Sequence, residues 1–395
     1  MTKEKNKKIP YGRQSITDAD IKAVTDVLHS EYITQGPKIL EFEKEIARYH
    51  CAEYAVSFSN GTAALHGAYK VAGVRDGDEI ITSPITFVAT ANAALYCGAK
   101  PAFVDIDMHT YCIDIKEIHK KVSSKTKVIT PVSFGGYPVD LKQIKDIADE
   151  NHSYVIHDAA HAIGSKRTGS FGMEYSDMAV LSFHPVKHIT TGEGGAVLTN
   201  DKELYDKLLL FRNHGITKNA KKTSDSNGGW YYEMQMLGHN YRLTDIQSAL
   251  GISQLKRINE NLRSRNITAS KYNRAFSISD QLITPPDIGF EIIEQMESDK
   301  IQNLHSYHLY PLRIRKKEKR LEFYNYLHEK GILAQIHYIP IYRQPYYKKL
   351  FSYKVSDYPN AEEYYESEIS IPMYHNMCEE DIDYVVDTIL KYKFI

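Results

Sequence analysis

From about residue 50 to residue 198 short apolar runs alternate with segments of helical periodicity, and that rhythm admits few folds. The strand candidates are Ala55-Val56-Ser57-Phe58, Glu79-Ile80-Ile81-Thr82, Pro101-Ala102-Phe103-Val104, Val128-Ile129-Thr130-Pro131-Val132 and Tyr154-Val155-Ile156. Asp177 to Phe183 and its neighbour Ala196 to Thr199 follow. Strands separated by helices lie side by side and parallel, because a parallel return needs a crossover long enough to be a helix. An α/β domain with a mostly parallel central sheet is expected. Before it, Thr17 caps a helix with Ile21, Val24 and Leu28 at helical spacing. Gly36 and Pro37 break the chain, and a second helix runs through Phe42, Ile46 and Tyr49.

At 395 residues the chain exceeds the comfortable size of one core. The expected division is a large domain over residues 1–255, including the amino-terminal segment, and a smaller carboxy-terminal α/β domain over 256–395. Thr244-Asp245-Ile246-Gln247 is a capping box that opens the helix leading from one to the other. In the second domain Tyr307 to Leu312 and Ala334 to Tyr338 read as strands. Between them and the first domain, Lys218 to Gly229 is polar and without period, an exposed loop whose role is either a lid or plain surface.

Composition narrows the classes of function. Formal net charge is −1, and the only dense basic runs are the short clusters Lys3 to Lys8 and Arg313 to Arg320, so no nucleic-acid surface is expected. No apolar stretch approaches a membrane span, and the polar amino terminus lacks the apolar core of a signal peptide, so a cytoplasmic location is expected. Cys51, Cys97, Cys112 and Cys378 show no metal-ligand spacing. His157 and His161 stand four apart but straddle a strand end without a third ligand nearby, so no metal site is expected.

The chemistry centres on Lys187, in the Gly-rich run Ser182-Phe183-His184-Pro185-Val186-Lys187-His188-Ile189-Thr190-Thr191-Gly192-Glu193-Gly194-Gly195 between two strand-like segments. An amine fixed there can form a Schiff base. Asp158 directly follows the strand through Val155 and Ile156, which places a carboxylate at a parallel strand's carboxyl end. A Schiff-base lysine and such an aspartate are what pyridoxal phosphate (PLP) requires, one for its aldehyde and one for its pyridine nitrogen. Asn60-Gly61-Thr62-Ala63 opens a helix after a strand, a place for a phosphate as well as an ordinary helix start. Ser182 offers a second hydroxyl. Phe87, at another strand-to-helix turn, is either core or a ring to stack on a planar group. All five sit in order at strand ends, where open α/β sheets bind ligands.

These segments, with Ser83-Pro84-Ile85-Thr86-Phe87, Asp158-Ala159-Ala160-His161 and Asn240-Tyr241-Arg242-Leu243, resemble the DegT/DnrJ/StrS family of nucleotide-sugar aminotransferases over nearly the whole chain. The resemblance implies a fold-type I PLP-dependent transferase, aspartate aminotransferase-like, and a homodimer with active sites at the subunit interface. It makes Lys187 the Schiff-base lysine of a cofactor that alternates between PLP and pyridoxamine phosphate (PMP), Asp158 the partner of the ring nitrogen and Phe87 the stacking group. It further makes Thr62, Ala63 and Ser182 phosphate ligands, sets His161 near the cofactor hydroxyl, and brings Asn240 to the phosphate from the other subunit. Lys187 is retained where dehydratase members carry histidine, which favours transamination.

Gly331 to Tyr342 and Glu368-Ile369-Ser370-Ile371-Pro372 resemble the branch of the family that aminates a UDP-linked 4-keto-6-deoxy sugar on the way to pseudaminic acid. Those enzymes often have proline after the lysine; this chain has His188. The branch implies a UDP-sugar and L-glutamate as partners, with Tyr11, Thr34, Gln35, His184, Arg242, His337 and Tyr338 as candidate sugar-nucleotide contacts. Arg242 is chemically suited to a diphosphate. Among the 30 tyrosines most are expected to pack rather than bind. The alternatives are another 4-keto sugar, UDP-D-gluco, GDP- or dTDP-linked, and a PLP-binding regulator without turnover.

Overall fold

A computed structural model describes residues 8–219, 223–225, 228–288 and 301–394. Most of the amino-terminal lysine cluster, and residues 220–222 and 226–227 of the polar loop, fall outside them. A seven-stranded sheet forms the body: β2 (Tyr54–Phe58), β3 (Glu79–Thr82), β4 (Lys100–Phe103), β5 (Thr126–Thr130), β6 (Tyr154–Asp158), β7 (Met178–Ser182) and β8 (Gly195–Thr199), in the order β2-β8-β7-β6-β5-β3-β4. From β7 to β4 every pairing is parallel, whereas β8 runs antiparallel to both β7 and β2. The mostly parallel sheet expected from the alternation is present.

Neighbouring residues on a strand point to opposite faces, and both faces are covered, which is why these strands are apolar throughout. Ile80, Val128, Ile156 and Val180 enter the core that contains Ala64, Leu65 and Ala68 of helix α3 (Gly61–Val71). Ile81, Ile129 and Val155 enter the opposite core with Ile144 and Ile147. Because the parallel strands share a direction, the carboxyl ends of β6 and β7 open on one edge of the sheet, beside the amino terminus of α3.

Helices α1 (Asp18–Leu28) and α2 (Pro37–Tyr49) precede the sheet. Here one reading gains detail and another needs correction. Gly36 and Pro37 do not merely break the chain: Gly36 is the N-cap and Pro37 the first residue of α2, a position where proline's missing N–H costs nothing. In α1 the expected apolar face is reversed. Ile21 and Leu28 are exposed at 58% and 56%, and the buried side chains are Asp20 and Val27. Asp20 turns inward because one of its carboxylate oxygens finds several donors there: Oδ2 accepts from Thr17 N at 2.9 Å, Gln254 Nε2 at 2.7 Å and Arg257 Nη2 at 2.6 Å. A buried carboxylate with that many donors outweighs the pull of one apolar stripe.

The capping box forms as expected, with Gln247 N donating to Thr244 Oγ1 at 3.2 Å and Thr244 N to Gln247 Oε1 at 3.1 Å. It starts α8 (Asp245–Leu255), which α9 (Ile258–Phe276) follows directly; α4 (Ala89–Tyr96), α5 (Ile115–Lys121), α6 (Leu141–Glu150) and α7 (Lys202–Arg212) precede both along the chain. The polar loop joins the short hairpin strands β9 (Ile216–Thr217) and β10 (Glu233–Met234). Beyond α9, β11 (Leu282–Ile283), β12 (Tyr310–Ile314) and β14 (Glu368–Ile371) make a three-stranded antiparallel sheet. β1 (Ile9–Pro10) pairs parallel with β13 (Ile332–Leu333).

The strand read at Tyr307 begins only at Tyr310, and the one read over Ala334 to Tyr338 is not a strand. After β13 a single bridge joins Gln335 to Ser370. His337 N instead donates to the Glu368 carboxylate at 3.0 Å, and the hydroxyl of Tyr364 donates to the His337 carbonyl at 3.0 Å. Side chains have taken the place of a ladder, and the segment turns its rings toward the sheet edge.

Candidate active site

At the carboxyl edge of the sheet lies a cavity of about 880 Å³. It is bounded by Lys187, Asp158, Ser182 and Thr62, with the rings of Phe87 and Tyr338 over it. Each side chain arrives from a different element, so the site exists only in the folded chain.

Asp158 ends β6 and is 4% exposed. Thr90 Oγ1 of α4 donates to its Oδ2 at 2.7 Å, and the N–H of Ala160 to its Oδ1 at 3.1 Å. Hydrogen bonds to a charged group contribute roughly 1.5–3 kcal/mol each, less than the cost of burying a carboxylate. Burial accordingly raises the Asp158 pKa, against the lowering by Thr90, Ala160 and the charge of Lys187. The carboxylate faces the cavity short of positive charge.

Lys187 sits on the Gly-rich turn after β7, half-buried as a residue but with its ammonium end deep. Burial lowers its pKa to about 7, opposed by Asp158 and assisted by Arg265. A neutral amine is therefore accessible at physiological pH. His161 Nδ1 accepts from the N–H of Gly135 at 3.3 Å, which puts the proton of the neutral ring on Nε2, 3.2 Å from the Tyr338 hydroxyl. Burial first, and then the charge of Lys187, holds the His161 pKa well below the usual range.

The helix start at Asn60 to Ala63, read as either a place for a phosphate or an ordinary helix opening, has a definite form. Asn60 caps α3, its Oδ1 accepting from Ala63 N at 2.8 Å and its carbonyl from Ala64 N at 3.1 Å. The amides of Gly61 and Thr62 remain at the open end of the helix, where its dipole favours an anion. Packing at this corner is tight: a Cβ on Gly61 would stand 3.1 Å from Ser182 Cβ, and one on Gly195 only 2.7 Å from the Asn60 carbonyl. Only glycines let β7, β8 and α3 close on one point.

Eleven of the residues expected from sequence meet here: Thr62, Ala63, Phe87, Asp158, His161, Ser182 and Lys187, with Tyr11, His184, His337 and Tyr338. Phe87 is 56% exposed, its ring 6.1 Å from that of Tyr338. Four others do not line this cavity. Asn240 is exposed and bridged to Asn213, and Thr34 is exposed and bridged to Thr244. Gln35 and Arg242 line a separate open cavity of about 470 Å³ together with Arg212 and Lys218. Arg242 Nη1 donates to Asn213 Oδ1 at 2.6 Å. His188, the departure after the lysine, turns away from the main cavity and engages the Ser306 carbonyl through Nε2 at 2.9 Å.

Two residues of the site were not singled out from sequence. Thr90 had a signal: it lies one helical turn after Thr86, with the two hydroxyls 2.9 Å apart, in the segment that follows a strand end. His308 had none; only the tertiary fold sets its Nε2 3.2 Å from Lys187 Nζ. His157 and His161 engage different partners, His157 Nε2 meeting Ser133 Oγ at 2.8 Å, and among the described residues no group of three or more His, Cys, Asp or Glu side chains is placed to hold a metal ion.

The donor set suits PLP on the structure's own terms: a deep amine of near-neutral pKa, an undercompensated buried carboxylate, and a helix terminus with a serine and a threonine hydroxyl for a phosphate. The model of the DegT/DnrJ/EryC1/StrS aminotransferase family matches residues 14–390. The chain is 37% identical over 387 residues, 96% of each protein, to the UDP-4-amino-4,6-dideoxy-N-acetyl-β-L-altrosamine transaminase of Campylobacter jejuni. Helicobacter pylori PseC, an aminotransferase of pseudaminic acid biosynthesis, superposes with a TM-score of 0.88 at 33% identity, covering 98% of this chain and 99% of that one. The PLP form of the sugar aminotransferase candidate Spr1654 of Streptococcus pneumoniae superposes with a TM-score of 0.87 at 28% identity, covering 97% and 98%. With the fold, the cavity and these likenesses in agreement, the chain belongs to the DegT/DnrJ/EryC1/StrS aminotransferase family and is a PLP-dependent sugar aminotransferase.

Proposed function

We propose that the protein transfers an amino group from L-glutamate to UDP-4-keto-6-deoxy-N-acetyl-L-altrosamine (UDP-2-acetamido-2,6-dideoxy-β-L-arabino-hex-4-ulose), giving the 4-amino sugar of pseudaminic acid biosynthesis. The observation that carries this reading is one cavity uniting Lys187, Asp158 and the open end of α3 in a chain alike, end to end, to transaminases of that sugar. Bound there, PLP supplies an aldehyde that exchanges amino groups and a ring that accepts electrons from the carbon being deprotonated. Lys187 Nζ tethers it and, when free, takes and returns the proton, which its near-neutral pKa allows. Asp158 would hold a proton on the ring nitrogen; a generic ion pair at about 4 Å and an effective dielectric of 20 is worth roughly 4 kcal/mol. Thr62 and Ser182 would hold the phosphate, with Ala63 lining the cradle because its N–H is taken by Asn60, while Phe87 would cover the ring and His161 would lie at its hydroxyl.

Tyr11, His184, His337 and Tyr338 then face the sugar. Asn240, Thr34, Gln35 and Arg242 stand outside this cavity and serve the cavity of a second copy, Asn240 at the phosphate and the others at the UDP-sugar. Exposed apolar side chains are in keeping with such a homodimer: Ile21, Leu28, Ile33, Trp230, Met234 and Leu237 are each at least half exposed. On the same reading the chain divides near residue 255. Support comes from a separate core, in which Tyr272 and Phe276 of α9 pack with Tyr310, Leu312 and Phe323. Among the described residues no helix is long and apolar enough to cross a membrane, in keeping with a cytoplasmic enzyme.

The test is a panel of 4-keto sugars differing in ring configuration and nucleotide, each offered with glutamate and assayed for 2-oxoglutarate and amino sugar. The L-altro UDP-sugar is expected to give a kcat/KM at least about tenfold above the UDP-D-gluco, GDP- and dTDP-linked ketones. An equal or better rate with any of those would overturn the sugar assignment. A bound cofactor whose colour glutamate leaves unchanged, with no ketone aminated, would favour the regulator instead.

A further inference from the structure

We propose that His308 is the positioning residue that holds the Nζ of Lys187 whenever that amine is free, through a hydrogen bond at Nε2. The inference rests on Lys187 being the lysine to which PLP attaches. His308 is 4% exposed, and its Nε2 lies 3.2 Å from Lys187 Nζ. Its place is fixed from behind. Arg265 Nη1, on α9, donates to the carbonyls of Tyr307, His308 and Met373 at 3.0, 3.3 and 3.0 Å, and Leu309 N donates to the Gly135 carbonyl at 3.2 Å. The ring is flanked by His161 and His188, at centroid distances of 4.3 and 5.7 Å.

The other ring nitrogen of His308, Nδ1, is buried with no hydrogen-bond partner among the described residues. In most buried histidines a second bond locks one tautomer. Here neither is locked, so Nε2 can accept from a Lys187 ammonium or donate to the neutral amine. Burial, and next the charge of Lys187, keeps the His308 ring uncharged, so it does not repel the ammonium. The other groups facing this pair are Asp158 from β6, Arg265 from α9, and His161, His188 and His337, whose own pKa values burial lowers. A flexible lysine stem released from its tether would otherwise sample several rotamers, and holding it lowers the entropy lost on the next attack.

Capture of PLP by the apoenzyme isolates this role from turnover: the unprotonated Nζ adds to the aldehyde carbon and one water leaves. Its rate is followed by absorbance, and the adduct is fixed by borohydride and located by peptide mass spectrometry. His308→Leu should slow capture at Lys187 about tenfold, the worth of one hydrogen bond, while His308→Gln, whose amide reaches to the same position, should stay within about threefold of the native rate. If the leucine variant does not fold, His308→Ala takes its place with the same two readings. A native capture rate without the ring would overturn the inference, as would equal slowing in the glutamine variant, which would assign the effect to packing. Failure of the broader reading is distinct: native protein would then carry no adduct at Lys187, and Lys187→Ala would capture PLP unchanged.

Discussion

Around Lys187 the polar groups are buried and bonded to one another within one chain: Thr90 and Ala160 to Asp158, Gly135 and Tyr338 to His161, His308 to Lys187. Around Arg242 they are more open. Gln35 and Asn240 are exposed, the cavity beside them is open, and Ile33, Trp230 and Leu237 turn apolar surface to solvent. The first region is preorganised for proton transfer, where a fixed dipole costs no rearrangement as charge develops. In the proposed homodimer the second is half of a site: Arg242, held by Asn213 within its own chain, would meet a nucleotide diphosphate across the interface.

The largest expected effect breaks the first region alone. Lys187→Ala should lower turnover by at least about 10³-fold, the scale of a lost general acid–base group, with the melting temperature little changed. Turnover within tenfold of native would remove Lys187 from the mechanism.

A mixing experiment tests whether the second region serves the other copy. Arg242→Ala should lower kcat/KM about tenfold or more through weaker substrate binding. In heterodimers of Lys187→Ala and Arg242→Ala chains one site carries both changes and the other neither. Activity should therefore return to about half that of the native dimer. If co-expression gives no more than the two parents separately, each cavity uses its own Arg242, and the comparison fails.

The smallest effect sharpens the electrostatics of the first region. Burial depresses the Lys187 pKa to about 7, so the neutral fraction, and with it PLP capture by the apoenzyme, should rise about tenfold per unit below pH 7 and level off above it. A rate still climbing steeply between pH 8 and 9.5 would show an amine in water-like surroundings.

Much of this was legible in the chain itself. The strands of the central sheet fall within two residues of where apolar runs mark them, because a strand covered on both faces must be apolar at every position. The strand-end residues Thr62, Asp158, Ser182 and Lys187 converge because parallel strands deliver their carboxyl ends to one edge. Pattern failed where a side-chain bond outweighed it. Asp20 reversed the face of α1, and Glu368, by accepting from His337 N, replaced the expected strand at Ala334 to Tyr338.

Residue types and their order thus determined the sheet, its carboxyl edge and the placement of Lys187 and Asp158 at that edge, since these depend on local periodicity and strand direction. Only the tertiary structure decided how those groups are tuned. Burial moves the pKa values of Lys187 and Asp158 toward each other, and Thr90 and His308 reach them from distant segments. Desolvation and long-range hydrogen bonds depend on what surrounds a side chain in space, and no spacing along the chain encodes that.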